Sequence, residues 1–147
     1  MSTETIGVEI LAHAFTDNPY TFAKAKPGDA GYDLAAACSS YMIGPGESVK
    51  VACGVKLAIP EGYFGQVVMR SGHGFKKSLS CHIGTVDEGY RGELFVMVRN
   101  HGKDVVILEQ GERFAQIIFH QINDFIVALG PVDENTARGA SGFGSSG

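Results

Sequence analysis

The chain has 147 residues, 44% of them hydrophobic and 19% charged, which is enough apolar content for one globular domain with its own core and too much for a disordered chain. The formal net charge of −4 excludes the broad basic field of a general polyanion binder, so direct binding to nucleic acid is not expected and any phosphate recognition has to be local. Three cysteines (Cys38, Cys53, Cys81) without a CxxC pair, and five histidines without HxxxH-type spacing, argue against a disulfide framework or a protein-held zinc ion.

In chain order the sequence reads as short apolar runs between glycine-rich turns. Strands are expected at Thr5–Ala12, Ser48–Ile59, Phe64–Met69, Glu93–Arg99, Val105–Glu109, Phe114–His120 and Phe125–Leu129. Turn signals separate them at Gly44-Pro-Gly46, Pro60-Glu-Gly62, Asp87-Glu-Gly89, His101-Gly102 and Gln110-Gly111. Spacing of about 8–12 residues with β-branched enrichment predicts an all-β sandwich or barrel, with at most one short helix. Within Ser48–Ile59, Val49 and Val51 follow one register and Val55, Leu57 and Ile59 another, which predicts an irregularity at Gly54. The run Leu94–Val98 is apolar at every position and is expected to be covered on both faces, within a sandwich or by another subunit.

Residues 1–132 are expected to form the barrel and residues 133–147 a separate flexible arm. Seven of the last ten residues, Arg138 to Gly147, are Gly or Ser, with one cation and one aromatic ring among them. Such a segment cannot bury a core. It suits either a plain flexible end or a wrap for an anionic ligand, in which Arg138 grips phosphate and Phe143 stacks on a flat ring. The first ten residues lack the basic patch and apolar stretch of a signal peptide, and no run approaches the ~20 apolar residues of a membrane helix. A soluble, intracellular protein that binds no membrane is the expectation.

Three inner loops carry similar chemistry. Ala30-Gly-Tyr-Asp-Leu34 places Asp33 after a glycine turn, and Met69 to Lys77 gathers cations, a hydroxyl and glycines. There, Arg70-Ser71-Gly72 reads as a phosphate nest or as a solvated β-turn. Gly84-Thr-Val-Asp-Glu-Gly-Tyr-Arg-Gly92 puts Asp87 and Tyr90 on a tight turn, as a base beside a ring or simply as turn residues. Gln116, inside an apolar strand, is either an exposed alternating position or an amide aimed at a ligand. No Walker motif occurs.

Taken together, Ala30-Gly-Tyr-Asp-Leu-Ala-Ala, Arg70-Ser-Gly, Gly84-Thr-Val-Asp-Glu-Gly-Tyr-Arg-Gly, Gly111-Glu-Arg-Phe-Ala-Gln and Arg138-Gly-Ala-Ser-Gly-Phe-Gly-Ser-Ser-Gly resemble the five ordered motifs of the trimeric dUTPases. The resemblance runs from about residue 30 to the last residue. It implies a jelly-roll β-barrel in a homotrimer with a swapped C-terminal arm. Each active site would take its third motif from one subunit, its first, second and fourth from another, and the arm from the remaining one. It implies hydrolysis of dUTP to dUMP and pyrophosphate, which limits uracil incorporation into DNA and supplies dUMP for thymidylate synthesis.

By the same resemblance Asp87 activates the attacking water and Tyr90 packs under the deoxyribose. Backbone around Cys81 and Gly84, with Thr85 and Val86, pairs with uracil. Arg70, Ser71, Gly72 and Gln116 hold phosphate oxygens. Arg138, Gly144, Ser145 and Ser146 close over the γ-phosphate, and Phe143 stacks on the base. Mg2+ is carried by the triphosphate and waters, with Asp33 an outer-shell partner. The chain departs from the family pattern at His73-Gly74, where Leu-Ala is usual, at Cys81-His82-Ile83, where small residues or an Asn are usual, and at Ser141. The related dCTP deaminases need a glutamate near the position of Met97. A non-catalytic, nucleotide-sensing relative is the alternative reading outside enzymes.

Overall fold

The computed structural model describes residues 4–16, 18–82 and 84–144. Ten strands and one short helix form it: β1 (Gly7–Ile10), β2 (Tyr32–Ala35), β3 (Tyr41–Ile43), β4 (Ser48–Ala58), β5 (Tyr63–Met69), α1 (Ser71–Phe75), β6 (Leu79–Cys81), β7 (Gly84–Val86), β8 (Glu93–Asn100), β9 (Val106–Leu108) and β10 (Arg113–Gln121). One antiparallel sheet runs β1-β4-β8-β6, a second runs β2-β10-β5-β7, and β3 pairs with β9 in a separate ribbon. The arrangement is a jelly-roll-like barrel whose two main sheets face each other across the core.

Alternation drives the packing. On β8, Leu94, Val96, Val98 and Asn100 point inward. They meet Val51, Val55 and Leu57 of β4 and Phe114 and Ile117 of β10, all nearly or fully buried. Fully burying side chains of this size contributes about 1.5–3 kcal/mol each. The buried Asn100 is satisfied on every side: its amide donates to the carbonyls of Ile43 (2.9 Å) and Asp104 (2.8 Å), and its Oδ1 accepts from Gly102 N–H (2.8 Å).

The irregularity expected at Gly54 is present. The β4–β8 register shifts between Ala52 and Lys56, and Gly54 adopts φ +67° with Ala37 packed so close that an added Cβ would lie 2.9 Å from its methyl. Only glycine fits that backbone and that space.

Four short strands (β2, β3, β6, β7) are not anticipated from the sequence, because three or four residues carry too little alternation to read. Two expectations are corrected. The segment Phe125–Leu129 is not a strand: it lies outside both sheets, with Phe125 83% and Ile126 100% exposed. It follows β10 and pairs with no strand among the described residues. The Arg70-Ser71-Gly72 segment is no β-turn, because Ser71 and Gly72 open α1 and Arg70 caps it.

The second face of Leu94–Val98 is uncovered within one chain, where Phe95 and Met97 are each 45% exposed. Lys50 Nζ rests 4.2 Å from the Phe95 ring centroid. Of the two coverings expected for this strand, the single-chain sandwich supplies only the inner one.

Candidate active site

The sheet β2-β10-β5-β7 carries two separate groups of candidate residues. At one end of β5, Arg70 follows Met69 and caps α1, its N–H bonded to the Phe114 carbonyl at 3.0 Å. Gln116 of β10 lies opposite Asp33 of β2 on one side and Val68 of β5 on the other, so three strands bring Asp33, Gln116 and Arg70 together. Arg113, which opens β10, joins them.

Asp33 is 6% exposed, with Arg70 Nε 3.4 Å from Oδ1 and Arg113 Nη1 3.9 Å from Oδ2. Arg70 also donates through Nη1 to the Arg113 carbonyl at 3.1 Å. Two guanidiniums around one carboxylate leave a net positive corner suited to an anion. Behind it the Tyr20 hydroxyl donates to the Asp33 carbonyl, and burial pushes the Tyr20 phenol far up, so it stays a donor. Gly31 gives Gln116 its room: a Cβ there would stand 3.1 Å from Gln116 Cβ and Cδ. Ser71 and Gly72 lie exposed at the start of α1, where helical N–H groups have no partner within the helix. Arg113 was not singled out from the sequence. Its place three residues before Gln116, at the mouth of the same strand, was the available signal.

The second group sits on the turn from β7 to β8, which crosses from one sheet to the other. Tyr90 N–H closes the turn on the Asp87 carbonyl (3.1 Å), and the Tyr90 hydroxyl donates to the Glu93 carbonyl (2.8 Å). The ring lies over Gly92, where a side chain would strike it. Asp87 is exposed. A cleft of about 400 Å³ opens here, lined by Gly84, Thr85, Val86, Asp87 and Tyr90 together with His82 and the outer face of β8 from Glu93 to Met97. β7 is the edge strand of its sheet, so its outer row of backbone N–H and C=O groups has no strand partner.

Cys81 does not line this cleft. Its thiol turns toward the Val67 carbonyl (3.9 Å), and burial pushes its pKa up, which keeps it a neutral thiol. His82, Lys50 and Glu93 line the cleft instead. Glu93 Oε1 is buried without a hydrogen-bond partner among the described residues.

The two groups lie far apart on one chain. Val86 pairs with Gly65, so Asp87 falls beside Phe64, whereas Arg70 is six residues further along the same strand direction. At 3.3 Å per residue that is roughly 20 Å. Residues 122–144 form no strand or helix, Arg138 Nε donates locally to the Ser141 carbonyl (2.8 Å), and Phe143 and Gly144 are exposed. Ser145 and Ser146 lie outside the described residues.

No group of three or more His, Cys, Asp or Glu able to hold a metal occurs among the described residues. Asp33 is already flanked by two arginines. These donors fit a magnesium ion that arrives on a polyphosphate and keeps its waters, not one caged by the protein.

A barrel that sets a cationic corner and a nucleoside-sized cleft with a free strand edge on one sheet has the features of a nucleotide-binding β protein. The comparisons are more specific. The dUTPase family profile matches residues 18–147. The chain is 42% identical over 125 residues to the deoxyuridine 5'-triphosphate nucleotidohydrolase of Rhizobium etli, covering 82% of this chain and 80% of that protein. It is 40% identical over 150 residues to that of Leifsonia xyli, covering 99% and 93%. The Staphylococcus bacteriophage 80alpha dUTPase solved with dUpNHpp superposes with a TM-score of 0.85 at 26% identity, over 99% of each chain. This chain belongs to the dUTPase family.

Proposed function

We propose that the chain hydrolyses dUTP to dUMP and pyrophosphate by in-line attack of water on the α-phosphorus, as an intracellular, soluble homotrimer. The observation that carries the reading is the content of the cleft: a free strand edge, a carboxylate and a fixed aromatic ring converge on one space. The β7 edge at Gly84–Val86, with backbone near Cys81, offers alternating donors and acceptors to the uracil edge. That pattern fits uracil and mismatches the exocyclic amine of cytosine. Tyr90, held at both Glu93 and Gly92, supports the deoxyribose and leaves no room for a 2'-hydroxyl. Asp87 accepts a proton from the attacking water and holds its oxygen in line with the leaving pyrophosphate.

Arg70, Ser71, Gly72 and Gln116 hold phosphate oxygens. Magnesium, carried by the triphosphate with Asp33 in its outer shell, supplies charge neutralisation for the leaving group. The roughly 20 Å between Asp87 and Arg70 supports a composite site, in which the phosphate corner of one subunit serves the cleft of another. The open face at Phe95 and Met97 and the partnerless Glu93 Oε1 fit a subunit contact beside that cleft. Residues 133–147 form the arm, which closes the site with Arg138 and Phe143, and with Gly144, Ser145 and Ser146 around the γ-phosphate. The dCTP deaminase alternative lacks its base, since Met97 cannot carry a proton.

The test is pyrophosphate release with Mg2+ from dUTP, dCTP, dTTP and UTP in parallel. Turnover of dUTP alone is expected. Equal turnover of dCTP would refute the edge-strand account of base choice, and no turnover of any of them would refute the activity.

A further inference from the structure

The corner that holds the phosphates includes a helix that cannot hold itself. α1 is five residues long, two of them glycine, with no buried residue and no side-chain bond at its N-cap. A helix this short is unstable alone, and each glycine costs about 1 kcal/mol relative to alanine. Yet Arg70, Ser71 and Gly72 have to be in place before a triphosphate arrives.

Two side chains tie α1 down. His73 Nε2 lies 2.7 Å and Lys77 Nζ 2.9 Å from the same atom, Glu112 Oε2. His73 is nearly enclosed, its side chain 12% exposed. Glu112 is a rigid post. Its Oε1 accepts the Glu109 N–H (3.1 Å), its carbonyl accepts the Ala36 N–H (2.9 Å), and its neighbour Gly111 donates to the Ala36 carbonyl (2.7 Å). The next residue along is Arg113, and Gln116 follows on the same strand. Burial pushes the Glu112 carboxyl up, but the bonds from His73 and Lys77 outweigh it and hold it below the ordinary carboxylate range.

From this geometry we propose that His73 and Lys77, latched to Glu112, are positioning residues that fix the Arg70–Gly72 loop against the Arg113–Gln116 segment of β10 and thereby set affinity for the triphosphate. The proposal rests on the dUTPase reading for its substrate and adds two side chains that touch no substrate. His73 stands where leucine is usual in the family pattern, so this chain has a polar latch at that position. The latch acts on the phosphate loop alone, so the nucleoside cleft at Asp87 and Tyr90 stays unaffected.

The experiment compares the parent with the H73L/K77M double variant and with H73Q, which keeps a side-chain N–H donor. The double variant should raise KM for dUTP about tenfold, equivalent to about 1.4 kcal/mol, with kcat within about twofold. Its affinity for dUMP should stay within about twofold of the parent's, and H73Q should stay close to the parent in KM. Calorimetry with inorganic tripolyphosphate reads the loop without any turnover, and the double variant should bind it about tenfold more weakly. An unchanged KM and an unchanged tripolyphosphate affinity would overturn the latch, as would an equal loss of dUMP binding, which would indicate general damage. A parent that releases no pyrophosphate from dUTP would refute the proposed activity, while the tripolyphosphate comparison would still decide the latch.

Discussion

Gly92→Ala is a small change that reaches the ring proposed to seat the sugar. The Tyr90 ring lies over the Gly92 backbone, and a Cβ at position 92 would stand 2.7 Å from Tyr90 Cζ and 3.0 Å from Cε1. Ordinary carbon contacts lie near 3.5–4.0 Å, so the ring has to retreat by roughly an ångström. Position 92 is not in a left-handed conformation, so the backbone accepts alanine and the clash falls on the ring alone. Retreat breaks the 2.8 Å bond from the Tyr90 hydroxyl to the Glu93 carbonyl, a loss of about 1 kcal/mol. The fold should therefore lose about 1 kcal/mol, while the wall proposed to exclude a 2'-hydroxyl moves away. The assay is kcat/KM for dUTP and for UTP, with a thermal melt alongside. The dUTP preference should fall by about tenfold, which is about 1.4 kcal/mol of discrimination. A folded variant with the parental dUTP/UTP ratio would refute the role given to the Tyr90 ring.

Met97→Lys places a cation on the exposed face of β8, directly across from Lys50 of β4. It should shift light-scattering mass from trimer toward monomer and lower dUTP turnover in proportion; an intact trimer would show that this face is not the subunit contact. Glu112 gives a pH-dependent signature with a defined sign. Its carboxyl is depressed in the folded chain, so its stabilisation is present above the ordinary carboxylate range and is lost as pH falls through the folded value. The urea midpoints of the parent and of Glu112→Gln should differ at neutral pH and converge in acid. A gap that stays constant down to pH 2 would contradict the bonding drawn from His73 and Lys77.

What the sequence discloses depends on how each residue does its work. Long strands are legible, Ser48–Ala58 because alternation persists over several residues and Glu93–Asn100 because its unbroken apolar run is long enough for a buried strand, and Gly54 marks its own bulge by breaking the register. The three-residue β7 is not legible as a strand, although its free edge defines the cleft. Phe125–Leu129 has the composition of a strand but lies exposed outside both sheets, so composition alone misplaces it. Asp87, Tyr90 and Arg70 are singled out through motif order. The latch from His73 to Glu112 joins residues 39 positions apart and becomes visible only when α1 folds back onto the β9–β10 turn. Arg113 shares a strand with Gln116, but its contact with Asp33 is visible only in the fold.

The central claim is that one site draws on several subunits, because a single chain sets Asp87 and Arg70 roughly 20 Å apart. It is tested by mixing two inactive forms, Asp87→Asn with its arm intact and a chain ending at Val132 with its Asp87 intact, by co-refolding them in equal amounts. If every site takes Asp87 and the arm from different subunits, about a quarter of the sites in randomly mixed trimers are complete, and dUTP turnover should recover to about that fraction of the parent. A mixture that forms trimers and stays as inactive as its two components would contradict the shared site.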